Sequence, residues 1–176
     1  MNSNLLSYLV SLVLLLALQI LVLNNIQISG FLNPFLYIYL IIVLPVSFPR
    51  IGVLFMGFGL GLALDVFHQT LGMHAVATTF LAYCRPFILQ YMAPRDGYEF
   101  SRVPGIRDMG YLWFGTYAAI MVFLHHFMLF FIEAFRLSGF WFTLGKVIGS
   151  TLLTFLLVLV VQLLFSGRAS NKSGYD

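Results

Sequence analysis

Charge is scarce in this sequence. Asp, Glu, Lys and Arg make up 9% of its 176 residues and hydrophobic residues 61%, whereas a soluble domain carries roughly 25% charged and about 45–50% apolar residues. Too few charges remain to clothe an aqueous surface, so lipid must be part of the solvent. Cys84 is the single cysteine. That excludes an internal disulfide and a cysteine-based zinc site, and leaves Cys84 as a small core residue. The chain also lacks a phosphate-binding Gly-x-x-x-x-Gly-Lys, a His-Glu-x-x-His and a Gly-x-Ser-x-Gly, the signatures of phosphoryl transfer, metalloproteolysis and serine hydrolysis. No apolar run holds the two acidic residues that an ion pump would need. These absences argue against an enzyme and, less strongly, against ion-coupled transport. No cofactor, metal or nucleic-acid partner is expected.

Long apolar runs are what the chain has instead. A membrane-spanning helix needs ~20 residues, with ~17 as a lower limit. Runs lie at residues 5–23, 34–47, 51–67, 74–92, 111–135 and 141–165. Met1-Asn2-Ser3-Asn4 has no positive charge, and no small-x-small cleavage site follows in Asn24-Asn25-Ile26-Gln27. The first run therefore reads as a retained helix rather than a signal peptide. The second opens at Asn33-Pro34, a capping residue followed by the proline that a helix tolerates at its first position. It stops at Pro45-Val46-Ser47-Phe48-Pro49 and is short for a crossing. The third carries Gly52, Gly57, Gly59 and Gly61, poor choices in a soluble helix but suited to close approach between membrane helices. Gly72 marks a turn, and Pro86 is expected to kink or thin the fourth run. Residues 93–108 form the polar loop, with Arg95, Asp96, Glu99, Arg102, Arg107 and Asp108, and the polar tail 166–176 is expected to be disordered. The expected fold is an all-α integral membrane protein: one domain over residues 1–165, a bundle of about six transmembrane helices.

With six spans both termini share one side. If that side is the cytoplasm, Arg50, Arg85, Arg95, Arg102, Arg107, Arg168 and Lys172 lie inside, and only Arg136 and Lys146 lie outside. This asymmetry is the positive-inside pattern, and it places the termini and the 93–108 loop in the cytoplasm.

Ionisable residues in or beside apolar spans are candidate functional residues. Asp65 leads. Gly61, Asp65, His68 and Gly72 are spaced i, i+4, i+7 and i+11, so on a persisting helix they share one face with Gly57 behind them. That face would form a small-residue groove with a carboxylate and an imidazole at its mouth. Asp65 then either organises the turn at Gln69-Thr70-Leu71-Gly72 or meets a ligand or partner. His68, His74 and Asp65 match no zinc spacing. His125 and His126 point about 100° apart on a helix and suit hydrogen bonds between helices better than one ion. Glu133, Arg136 and Lys146 flank the turn between the last two spans, as an ion-paired set positioning that hairpin. Arg85, inside the fourth span, is expected to snorkel to the headgroups. Gly145 and Gly149 form a weak small-xxx-small pattern on the sixth.

Pro49-Arg50-Ile51-Gly52, the glycine run into Leu64-Asp65, then Leu71-Gly72-x-His74-Ala75 and Ala82-Tyr83 resemble the rod shape-determining MreD family over about Pro49–Tyr83. There a glycine-rich helix ends in Leu-Asp and a Leu-Gly turn leads into the next helix. The matching positions are Gly57, Gly61, Asp65 and Gly72; the 93–108 loop is longer and more charged than the family pattern. The resemblance implies a non-catalytic inner-membrane scaffold of the cell-wall elongation complex, helping to maintain cell shape. Implied partners are a bitopic MreC-like protein, the actin-like MreB, and RodA with its penicillin-binding transpeptidase. That family is similar in architecture to substrate-binding subunits of energy-coupling-factor vitamin transporters. Such a subunit is the alternative reading, with Asp65, His68, Asn33 and Lys146 as the available pocket groups.

Overall fold

The computed structural model describes residues 3–23, 32–99, 102–135 and 139–168. Among these the chain is helical without strands. Its helices are α1 (Ser3–Leu21), α2 (Tyr39–Ile42), α3 (Arg50–His68), α4 (Met73–Tyr91), α5 (Ile106–Met109), α6 (Tyr111–Ala134) and α7 (Phe140–Arg168). A 3-10 turn, Leu36–Ile38, leads into α2. Among the described residues, three helices are long and apolar enough to cross a membrane: α3, α6, and α7 over Phe140–Leu164. At 1.5 Å per residue, the 19 residues of α3 reach about 28 Å and the 24 of α6 about 36 Å. A hydrocarbon core is about 30 Å thick.

The long helices carry apolar side chains on their outside as well as in the core, and several polar groups are buried within that core. Phe55, Phe58, Leu62 and Val66 on α3, and Leu152, Leu156 and Val160 on α7, face outward. Gln19, Asp65, His74, Thr78, Arg85, His125, His126, Ser150 and Thr154 are buried. An apolar outer surface of this extent suits lipid surroundings, where buried polar groups must pair with one another.

The closest packing is in the α3–α4 hairpin. A Cβ added at Gly57 would lie 2.9 Å from Ala82 Cβ and from the Thr78 carbonyl oxygen. One added at Gly61 would lie 2.5 Å from the His74 carbonyl oxygen and 2.6 Å from the Ala75 nitrogen. The backbones therefore meet at a distance only glycine permits. Pro49 starts α3, Gln69 ends it in a left-handed conformation (φ 56°), and Gly72 (φ 84°) turns the chain into α4. Pro86 lies inside α4 without interrupting it.

Four expectations require correction. The run 34–47 is not one helix: helical structure is confined to Leu36–Ile42, and the residue preceding it is Phe35, not Asn33. Because α3 stops at His68, Gly72 does not continue the Gly61–Asp65–His68 face but sits in the turn. Residues 106–108, assigned to the loop, begin α5. Finally, α7 continues to Arg168, past the end expected at 165. Residues 169–176 of the expected tail lie outside the described residues.

Candidate functional site: a polar core around a broken segment

Pro34 lacks an amide proton, and the neighbouring amides have no helical turn before them to bond. Buried backbone groups must still be paired, and side chains of other helices do this. Asn33 N donates to Ser150 Oγ (3.1 Å) and Phe35 N to Thr154 Oγ1 (3.1 Å), both from α7. Gln19 of α1 accepts from Leu36 N (2.7 Å) and Tyr37 N (3.3 Å) through Oε1, and its Nε2 donates to the Pro34 carbonyl (2.9 Å). One glutamine amide thus replaces the missing first turn. At the other end, Tyr117 Oη donates to the Ile42 carbonyl (3.2 Å). Arg85 donates through one Nη to the carbonyls of Leu44 and, at 3.5 Å, Pro45. Val46 N is tied to the Arg102 carbonyl at 3.0 Å. Along this path Phe35–Ile42 are all buried, and Tyr37, Ile38, Ile41 and Ile42 are 0% exposed.

Arg85 does not snorkel. It is 2% exposed and turned inward, with Nε donating to Tyr117 Oη at 3.1 Å. The Leu44 carbonyl it meets lies just past the C-terminal end of α2, and the Pro45 carbonyl also accepts from Phe48 N at 3.1 Å.

Tyr37 is the hub of the core. Its hydroxyl lies 3.3 Å from His74 Nδ1, 3.0 Å from Thr78 Oγ1 and 2.7 Å from His125 Nε2. His126 points elsewhere, with Nδ1 at 2.8 Å from the Val122 carbonyl and Nε2 at 3.2 Å from Thr154 Oγ1. The two adjacent histidines thus serve different neighbours, the α3–α4 side through Tyr37 and α7 through Thr154. Phe35 packs edge-on to His74 with centroids 5.0 Å apart. Among the described residues, no three His, Cys, Asp or Glu side chains converge as a metal site.

Asp65 is buried, 3% exposed, and used up within the chain. One carboxylate oxygen accepts from the Thr70 hydroxyl and from His74 N (3.0 Å), and the other accepts from Ala75 N (2.9 Å). A carboxylate from the end of α3 thereby caps the start of α4, whose own preceding residue, Gly72, has no side chain to do so. The groove expected along Gly57, Gly61 and Asp65 is filled by α4. His68 is half-buried; its Nε2 makes no hydrogen bond with the described residues. It lines a cavity of about 190 Å³ with Asn33, Thr70, His74 and Glu133.

Lys146 pairs with Glu133 at 2.9 Å and lies 4.4 Å from the Phe130 ring centroid. These contacts tie α6 to α7. Arg136, the third residue expected there, lies outside the described residues. Gly149 abuts Leu32.

Gln19, Tyr117, Ser150, Thr154 and Gln162 were not singled out by sequence. A signal existed on α7, where the buried positions Thr143, Val147, Ser150, Thr154, Val158 and Gln162 recur every three or four residues. That stripe puts hydroxyls and an amide on one helical face. Comparison of the chain with protein-family models, with curated proteins and with solved structures found no significant match.

Proposed function

We propose that the chain is a non-catalytic scaffold subunit of a bacterial cell-wall elongation complex, of the MreD type. In this reading it crosses the inner membrane six times. The crossings are α1, the broken segment 32–49, α3, α4, α6 and α7, with both termini and the 93–105 loop in the cytoplasm. The basic residues Arg50, Arg95, Arg102 and Arg107 at one end support that orientation. The expected partners are a bitopic MreC-like protein, MreB, and RodA with its penicillin-binding transpeptidase.

The α3–α4 hairpin carries this reading. The residues of the resemblance form one physical unit: Gly57 and Gly61 set the helix approach, Asp65 caps the next helix, and Gly72 makes the turn. Such a unit supplies a rigid frame with an apolar outer face formed by Phe55, Phe58, Leu62 and Val66.

The alternative, a vitamin-binding transporter subunit, draws on the cavity beside His68. Its volume of about 190 Å³ falls below the ~300–1,000 Å³ usual for small-molecule sites. Of the four groups available to a ligand, Asp65 caps α4 and Lys146 is paired with Glu133. Depletion of the chain in a rod-shaped host separates the two. The scaffold reading expects rounded cells and loss of lateral wall labelling by a fluorescent D-amino acid. Retained rod shape with reduced vitamin uptake would replace it with the transporter.

A further inference from the structure

At the Arg50 end of the bundle lies a second cavity, of about 290 Å³, between the start of α3 and the end of α4. Its lining includes Phe48, Arg50, Val53, Arg85, Gln90 and Tyr98, and no carboxylate. Arg85 is 98% removed from solvent, yet it borders this space. Its Nε and one Nη are engaged by Tyr117, Leu44 and Pro45. The other Nη makes no hydrogen bond with the described residues. A buried guanidinium surrounded only by neutral acceptors carries a full uncompensated charge, which is costly in a low-dielectric setting.

A second observation points the same way. The first turn of α3 contains no acidic residue and its N-cap makes no side-chain hydrogen bond. Arg50 occupies its first position, where the helix dipole already favours an anion. The nearby acids are not in the cavity lining: Glu99 pairs with Arg102 at 3.0 Å, Asp96 lies elsewhere in the loop and Asp108 on α5. Two arginines and a helix start therefore converge with nothing negative among the lining residues. α3 is apolar enough to cross a membrane from Arg50 onward, which would put the cavity where hydrocarbon gives way to headgroups.

We propose that this cavity binds the phosphate of an anionic phospholipid headgroup. Arg85 would hold it from within through its unengaged Nη, and Arg50 would hold it from the rim. Basic pockets between membrane helices are suited to acidic headgroups, and guanidinium matches phosphate geometry. Phe48, half-buried at the same cavity, offers an apolar surface to the start of the acyl chains. The inference does not depend on the scaffold reading.

The test uses the full chain, delipidated in a neutral detergent. Binding of phosphatidylglycerol, phosphatidylcholine and inorganic phosphate is followed by thermal shift and by native mass spectrometry. Phosphatidylglycerol is expected to raise Tm and remain bound at one copy, and phosphatidylcholine is not. Arg50→Gln, an exposed residue with no structural bond to lose, should weaken phosphatidylglycerol binding about fivefold without lowering the lipid-free Tm. Arg107→Gln, also exposed but on α5 and outside the cavity lining, should leave binding unchanged. Full protection by inorganic phosphate, with displacement of the lipid, would uphold the phosphate site and assign it to the free anion. Equal binding of the two lipids, or equal losses in Arg50→Gln and Arg107→Gln, would overturn the proposal.

Discussion

Replacing Asp65 tests how the hairpin is held. Its carboxylate accepts from three donors, and two are backbone amides, His74 N and Ala75 N, buried at the start of α4. Asp65→Leu leaves all three without an acceptor. An orphaned buried donor costs ~1–3 kcal/mol, so the two amides alone place the loss at about 2–6 kcal/mol. Asp65→Asn keeps the shape and one acceptor oxygen, but turns an NH2 group toward one amide. Its loss should be about 1–3 kcal/mol. Glu133→Gln is the control, because its partner Lys146 lies in a half-exposed pair of a kind worth ~0–1 kcal/mol. Equilibrium unfolding in mixed micelles, with helicity and tryptophan fluorescence as probes, should rank the variants Leu, Asn, then Glu133→Gln. Asp65→Leu and Asp65→Asn indistinguishable from wild type would refute the capping argument and free Asp65 for a partner. Loss of partner capture with unchanged stability would point to the same conclusion.

Gly61→Ala should destabilise by ~1–3 kcal/mol, because its Cβ would meet α4 backbone. Gly59→Ala, with nothing within 4 Å, should be neutral or slightly stabilising; thermal unfolding of both variants checks this. Gln19→Leu removes the acceptor for Leu36 N and Tyr37 N. Hydrogen exchange at those two amides should accelerate, and Tm should fall more than in Tyr39→Phe, which removes a single bond to Gln162. Unchanged exchange would mean that Gln19 does not hold the segment. For topology, Leu71→Cys and Asp96→Cys in a Cys84→Ser background lie at opposite ends of the hairpin, both exposed. A membrane-impermeant thiol reagent should label Leu71→Cys in intact cells and Asp96→Cys only after permeabilisation, and the reverse pattern would invert the orientation.

The long helices were legible because each is one apolar run bounded by local signals. Pro49 and the Gln69–Gly72 turn bracket α3, and its glycines announced the contact with α4. The broken segment was not legible as such. Hydropathy registers that residues 34–47 are apolar but not who pairs their amides, and the partners are remote in sequence. Phe35 finds its acceptor 119 residues away on Thr154, and Leu36 finds Gln19 17 residues before it. Arg85 was misjudged for the same reason. Snorkelling is the default for an arginine near a helix end, but the carbonyls of Leu44 and Pro45 offer a closer destination than the headgroups. Asp65 was legible as a residue of consequence from its isolation in an apolar run. Which of its two readings applied depended on the turn bringing His74 N and Ala75 N within 3.0 Å.

The scaffold assignment is tested most directly by affinity purification of the tagged chain from native membranes, followed by quantitative mass spectrometry of the co-purified membrane proteins. The account predicts enrichment of a bitopic protein with a coiled coil, accompanied by a polytopic glycosyltransferase and its transpeptidase. Recovery of a pair of ATPases with a coupling membrane subunit, and no such bitopic protein, would contradict it.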